Sequence, residues 1–281
     1  MTQHPWESYD AIAGAYDRVR GPQYAPIARG LAALTNPIEG AAVLDLGTGT
    51  GVAATAVAQT LGHSFVVGID PSAAMLLLAR ANAPVAPVAA RSPGLPFATR
   101  SFDVVVANLV LSHFEQYEAA LADAVRVLRP GGRVGATAWG TLDHDDPVED
   151  SAQRELTRIW RSVAARFVDL DSAEEALGGA CSREAWFADP AHLRIALERA
   201  GLRRVELSSR TYECDTSQGE LLAGYESSSW GRYLAHVLGE AGWTQLQHEA
   251  ADAVRSALPD PMTRVDQVLI AVGTKPYDGR P

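Results

Sequence analysis

Asp45, Gly47, Gly49 and Gly51 occupy alternate positions in VLDLGTGTG, directly behind an apolar run. Glycines at this spacing let a chain leave a buried strand, enter a helix and pass close to a ligand with no Cβ in the way. The free N–H groups of the helix that follows favour an anion. Nicotinamide dinucleotides, phosphates and S-adenosylmethionine (SAM) all use such a turn. A second carboxylate, Asp70, closes VVGID 19 residues beyond Gly51. There it can accept hydrogen bonds from both hydroxyls of a ribose, or cap the helix that begins at Pro71. The pair points to an adenosine-bearing ligand without choosing among them. A third group, His113 in LVLSHFE, carries an imidazole suited to act as a base near pH 7.

Strand-like and helix-like segments alternate around these residues, which predicts βαβ units and a mostly parallel sheet with helices on both faces. AAVLDLG is the first strand and VAATAVAQTL its helix; SFVVGID is the second, followed by PSAAMLLLARAN; APVAARS is a weaker third. SFDVVVANLVL reads as a continuously apolar fourth strand, buried on both faces, and it delivers His113 to the carboxyl edge where open sheets hold ligands. YEAALADAVRVLRPGG is a helix stopped by Pro130, and RVGATAWG a fifth strand. DPAHLRIALERAGL, RRVELSS and VDQVLIAVGTK supply a further helix and strands six and seven. The expected fold is thus an α/β, Rossmann-like, seven-stranded sheet with helical inserts after strands five and six. Its expected division is 1–140 for the N-terminal helices and ligand-binding core, 141–190 for an insert acting as a lid, 191–211 for a core helix and strand, 212–262 for a second helical insert, and 263–281 for the last strand and tail. The inserts carry Trp160, Phe167, Trp186, Phe187, Tyr225, Trp230, Tyr233 and Trp243. These are either small cores of their own or an apolar cover for a substrate.

The glycine pattern is D-x-G-x-G-x-G, not the nicotinamide G-x-G-x-x-G, and in this it resembles the first motif of class I SAM-dependent methyltransferases. LPFATRSFDVVVANLVLSHFE followed by ALADAVRVLRPGGRV extends the likeness to the ubiquinone/menaquinone-biosynthesis type, a small-molecule branch of that class. The resemblance covers roughly residues 40 to 140, and YDAIAGAYDRVRGPQYAP adds a stretch that folds over the cofactor in relatives. It implies SAM as cofactor, S-adenosylhomocysteine (SAH) as product, and a cofactor site made of Tyr16, Arg20, Asp45, Gly47, Thr48, Gly49, Gly51, Asp70, Pro71, Met75, Arg91, Ser92 and Asn108. Tyr16 and Arg20 would approach the methionine end, where a guanidinium can pair with the carboxylate. One departure stands out. Relatives carry an Asp that accepts from the adenine amino group where this chain has Ala90, Arg91 and Ser92, and arginine has donors only. Either backbone carbonyls and the Ser92 hydroxyl take over, or Arg91 stacks on the adenine, or affinity is lower. His113 is the candidate catalytic base, to be weighed against simple packing beside the cofactor.

Composition narrows the partners. Acids outnumber bases 34 to 24, for a net charge of −10, which argues against nucleic acid as a partner because phosphates call for clustered cations. No apolar stretch approaches the ~20 residues of a membrane span, and MTQHPWESYD lacks the basic and apolar regions of a signal peptide. With two cysteines, Cys181 and Cys214, in no metal or redox spacing, the expectation is a cytoplasmic protein with free thiols. DHDD, residues 143–146, reads as a solvated acidic turn and not a metal site. The function expected is methyl transfer to O, N or C of an apolar, uncharged or cationic small molecule in secondary metabolism. The alternatives are a SAM-binding protein that promotes another reaction of a hydrophobic metabolite and, more remotely, a dinucleotide-dependent oxidoreductase. The oligomeric state is not legible.

Overall fold

A computed structural model describes residues 8–36, 38–61, 65–141 and 151–277. Seven strands form one sheet in the order β3-β2-β1-β4-β5-β7-β6. The strands are β1 (Ala42–Leu46), β2 (Phe65–Asp70), β3 (Val85–Ala89), β4 (Phe102–Ala107), β5 (Leu128–Trp139), β6 (Arg203–Thr216) and β7 (Met262–Thr274). β7 runs antiparallel to both its neighbours and the pairs from β3 to β5 are parallel. Strand side chains alternate between two buried faces. In β4, Val104 and Val106 join the core on one side while Val105 and Ala107 join the core on the other; in β7, Val268 and Ile270 part from Leu269 and Ala271 in the same way.

Helices α1 (Ala13–Thr35) and α2 (Val52–Leu61) cover the first face. α2 packs through Ala53, Ala54, Ala56 and Val57, and α1 through Ile27, Ala28, Leu31 and Ala32 despite Pro22 and Pro26 within it. α4 (Tyr117–Val127) and α7 (Pro190–Arg199) cover the second. Ala120, Leu121, Ala124 and Val127 form the buried stripe that the 3.6-residue period of α4 demands. Asp189 starts α7 by accepting from Ala191 N at 2.7 Å, with Pro190 in the first turn. α3 (Ala73–Asn82) lies beside α1 and α2 against β2 and β3.

Three boundaries differ from the expected ones. The fourth strand stops at Ala107 because Leu109 adopts a positive φ of 53° and Leu111–His113 form a 3-10 turn. The fifth begins at Leu128, ahead of Pro130, and the two glycines after it produce a register shift against β4. The sixth runs on to Thr216, its polar SSRTYECDT held as an edge strand by the ladder to β7.

The inserted helices are α5 (Ser151–Ala164), α6 (Leu170–Phe187), α8 (Gln218–Glu226) and α9 (Ser229–Ala257), the last broken at Gly239. α5 shares a third core with α8 and α9, built on Leu156, Trp160, Leu221, Leu234 and Leu246. Trp230, Tyr233 and Trp243 pack against it, whereas Trp186 and Phe187 of α6 pack on Tyr117 and the sheet core. Most insert aromatics thus pack into structural cores. Residues 143–146 lie outside the described residues.

Candidate active site

The end of β1 and the end of β2 are stitched together by the glycine turn. Thr48 N donates to Ile69 O at 2.8 Å and Gly49 N to Asp70 Oδ2 at 3.1 Å. Asp45 is buried, its Oδ2 accepting from Thr48 Oγ1 at 2.8 Å and Ala54 N at 3.1 Å, so that it anchors both the turn and the start of α2. Burial outweighs those bonds and pushes its pKa up to about 7.

The three glycines are used differently, though all have positive φ. A Cβ on Gly47 would lie 2.3 Å from Val110 Cγ2, and one on Gly51 would lie 3.0 Å from Ala83 Cβ and 3.2 Å from Ala79 Cα. A Cβ on Gly49 would meet nothing within 4 Å, so an open face stands over the middle of the turn.

Asp70 borders that face. Its Oδ1 accepts from Ser72 N at 2.9 Å, and burial raises its pKa above the usual carboxylate range. Each oxygen thus has one protein donor and a lone pair to spare. Pro71 is exposed, and Met75 is buried in the first turn of α3, where its N donates to the Ser72 cap. Sequence reasoning did not find the second cap. Asp10, from a 3-10 turn at Asp10–Ile12, accepts from Ser72 Oγ at 2.6 Å and Ala74 N at 3.1 Å, which ties the N-terminal segment to the Asp70 corner.

Three buried polar atoms around this corner have no hydrogen-bond partner among the described residues: Asp45 Oδ1, Thr50 Oγ1 and Ser92 Oγ. Ser92 lies just past β3, whose end pairs with Asp70, and Arg91 beside it is exposed. The chemistry of these groups suits an adenosine, since the Asp70 oxygens have room to accept from ribose hydroxyls and the Ser92 hydroxyl is unpartnered.

The second half of the site is a cavity of about 300 Å³ beyond the carboxyl ends of β4 and β5. Tyr9, Tyr16, Arg20 and Tyr24 enter it from the N-terminal segment and α1; Leu109, Ser112 and His113 from the loop after β4; Trp139, Arg264 and Asp266 from the sheet; Glu184 from α6 and Tyr225 from α8. Asn108 stands at its threshold, its Oδ1 accepting from Thr137 Oγ1 at 2.9 Å, while the same hydroxyl accepts from Leu109 N at 2.8 Å. The wall is aromatic and polar by turns. Only Tyr225 of the insert aromatics reaches it, and no residue pattern singled out Arg264 or Asp266, which stand near the start of β7.

His113 presents its ring to the cavity, edge-on to Tyr9 with centroids 6.2 Å apart. Enclosure by protein, with Arg232 and Arg183 nearby, holds its pKa down at about 4. Arg183 Nε also donates to Ser112 O at 2.8 Å and so fixes the loop. Tyr9 is sandwiched in turn, with the Arg232 guanidinium 3.9 Å above its ring and Tyr16 edge-on at 5.5 Å. Burial, with Tyr24 and Tyr9 close by, keeps the Tyr16 phenol well above its ordinary pKa. Arg20 turns to α8, its Nη2 donating to Gly224 O at 2.6 Å.

Comparison with known proteins decides the family. Residues 44–135 match the model of a methyltransferase domain family. A demethylmenaquinone methyltransferase of Clavibacter sepedonicus is 32% identical over 212 residues, 70% of this chain and 82% of that protein. The chain belongs to the class I SAM-dependent methyltransferases. This methyltransferase is also 29% identical to nocamycin O-methyltransferase of Saccharothrix syringae over 232 residues, 79% of the chain and 80% of the relative. The crystal structure of the [4+2]-cyclase SpnF shares the fold at a TM-score of 0.56 and 18% identity, over 96% of this chain and 94% of that one. SAM is the cofactor of this methyltransferase, and when bound it supplies a methyl group on a sulfonium, already a strong electrophile. The remaining work of the protein is to align an acceptor with that carbon and exclude water. Among the described residues no helix is long and apolar enough to cross a membrane.

Proposed function

We propose that this methyltransferase transfers its methyl group to O, N or C of a small, largely apolar molecule of secondary metabolism, held in the cavity beyond β4 and β5. The observation that carries this reading is the cavity itself, walled by Tyr9, Tyr16, Tyr24, Trp139 and Tyr225 at the sheet edge next to the glycine turn. The relative named for nocamycin supports the metabolic setting. Cofactor binding falls to the turn from Gly47 to Gly51 through its open face at Gly49, together with Asp70, Met75 and Ser92, and His113 is the side chain that touches the acceptor. Neutral across the physiological range, it can orient the acceptor atom by a hydrogen bond.

The test is transfer of tritium from methyl-labelled SAM to an extract of the producing cells, with the Asp70→Ala variant in parallel. Labelled small molecules are expected with the wild type. The variant should bind SAM about 1–3 kcal/mol more weakly, since ribose hydroxyls lose their acceptor. Tight SAM binding with no labelled product would favour a chain that uses the cofactor to guide a different reaction.

A further inference from the structure

Two guanidinium groups meet at one amide oxygen in the cavity wall. Gln23 Oε1 accepts from Arg20 Nη1 and from Arg264 Nη1, each at 3.0 Å. Arg264 is matched by a carboxylate, its Nε and Nη2 both donating to Asp266 Oδ1 at 2.9 and 2.7 Å. Arg20 is not, because its two partners are the neutral carbonyl oxygens of Gln23 and Gly224. Glu184 and Glu220 are the other acids of the lining; Glu184 feels the Arg20 charge across the cavity, but no hydrogen bond joins either of them to Arg20 among the described residues. A guanidinium stays charged in any protein site, and two that share one acceptor repel. Beside them Tyr24 and Trp139 stand with ring centroids 5.8 Å apart, Arg20 lying 5.9 Å from the Tyr24 ring and Arg264 6.0 Å from the Trp139 ring. The missing complement is an anionic oxygen on a flat, conjugated body.

We propose, resting on the reading of this cavity as the acceptor site and in place of the uncharged or cationic acceptor expected from the net charge, that the acceptor carries one two-oxygen acid, a carboxylic acid or an enolised 1,3-dicarbonyl. It binds as the anion, with one oxygen at Arg20 and the other toward His113. The second oxygen then forms its bond to the methyl carbon as the carbon–sulfur bond breaks. The oxyanion and sulfonium charges cancel, leaving a methyl ester or enol ether and neutral SAH, and no proton has to be removed. His113 agrees with this, since an imidazole of such low basicity is a poor base for an alcohol or amine. Its part is to position the acceptor.

The carboxylate of the cofactor's own methionine has the same chemistry, so the experiment separates the two sources. SAH-loaded full-length protein is titrated in a calorimeter with 2-naphthoate and with its neutral isostere 2-naphthamide. The acid should bind at least about tenfold more tightly, and Arg20→Gln should bring the two within about threefold while SAH affinity moves by less than about threefold. Arg20→Lys, which keeps the charge but loses the fork, should retain part of the preference and guards against a folding defect in the first variant. Equal binding of acid and amide, or binding of neither, overturns the proposal. So does a preference that survives in Arg20→Gln. A loss of SAH affinity of about tenfold or more, with the acid preference intact, assigns Arg20 to the cofactor instead. Failure of the cavity reading itself looks different, because it appears as absent methyl transfer by a protein that binds SAM.

Discussion

At the scale of single residues, Gly47 and Gly49 separate packing from ligand approach. Both have positive φ, so any side chain strains the backbone, but only Gly47 faces a neighbour. Gly47→Ala should cost about 2–4 kcal/mol of stability, from left-handed strain plus the clash with Val110. Gly49→Ala should cost only about 1–2 kcal/mol, yet it places a methyl group on the open face, so SAH affinity should fall at least about tenfold. Urea unfolding and SAH calorimetry on both variants check this, and equal effects on the two quantities would count against the assignment of the open face. His113 and Asp45 bring a pH signature. Imidazole has an ordinary value of 6.5 and is held at about 4 here, so its stabilising neutrality is complete above pH 6.5 and is lost as pH falls toward 4. Asp45, raised from 3.8 to about 7, works in the opposite sense and weakens the fold as pH rises through that window. The melting midpoint of His113→Gln, relative to the wild type, should therefore climb as pH is lowered from 6.5 to 4. Parallel curves would show that the ring is not enclosed.

At the scale of elements, the N-terminal segment is a strap pinned at two ends. Asp10 caps α3 beside Asp70, and Arg232 of α9 covers Tyr9 while its Nη1 reaches Ser8 O at 3.4 Å. Asp10→Ala should remove about 1 kcal/mol of capping and lower SAM affinity with it, because the Ser72 that it holds donates its N–H to Asp70, the proposed ribose acceptor. A loss of stability with SAM affinity unchanged would reduce Asp10 to a cap. Elements with a strong period or a sharp punctuation were legible in the sequence: the helix VAATAVAQTL matches α2 residue for residue, and SFVVGID brackets β2. The glycine turn and its junction with Asp70 were legible too, since positive φ in a tight strand-to-helix turn favours glycine. The tail of β6 was not, because an edge strand is held by backbone bonds to β7 and its side chains answer to no burial pattern. Arg264 and Asp266 were hidden for a related reason. They sit in the first half of β7, where the sheet edge forms a wall of the cavity, and only topology brings that wall opposite α1 and His113.

At the scale of the whole molecule, the described residues form three cores, two against the sheet and one in the inserts. Because α5 belongs to one insert and α8 and α9 to the other, segments separated by α6, α7 and β6 fold as one helical unit. That unit contributes Leu156, Leu221 and Tyr225 to the cavity and, by its described contacts, nothing to the glycine turn. The two ligand sites should accordingly respond differently to damage. Leu234 is fully buried at the centre of the insert core, so Leu234→Ala should leave a void and cost about 2–5 kcal/mol. If the inserts are a separable cover, the variant should bind SAH within about threefold of the wild type while the KM for the acceptor rises at least about tenfold. Hydrogen exchange should place the lost protection in α5, α8 and α9 and spare β1, β2 and β4. Equal loosening of the sheet would mean that the inserts and the sheet unfold together, and the acceptor wall would then be part of the cofactor fold and not a module laid upon it.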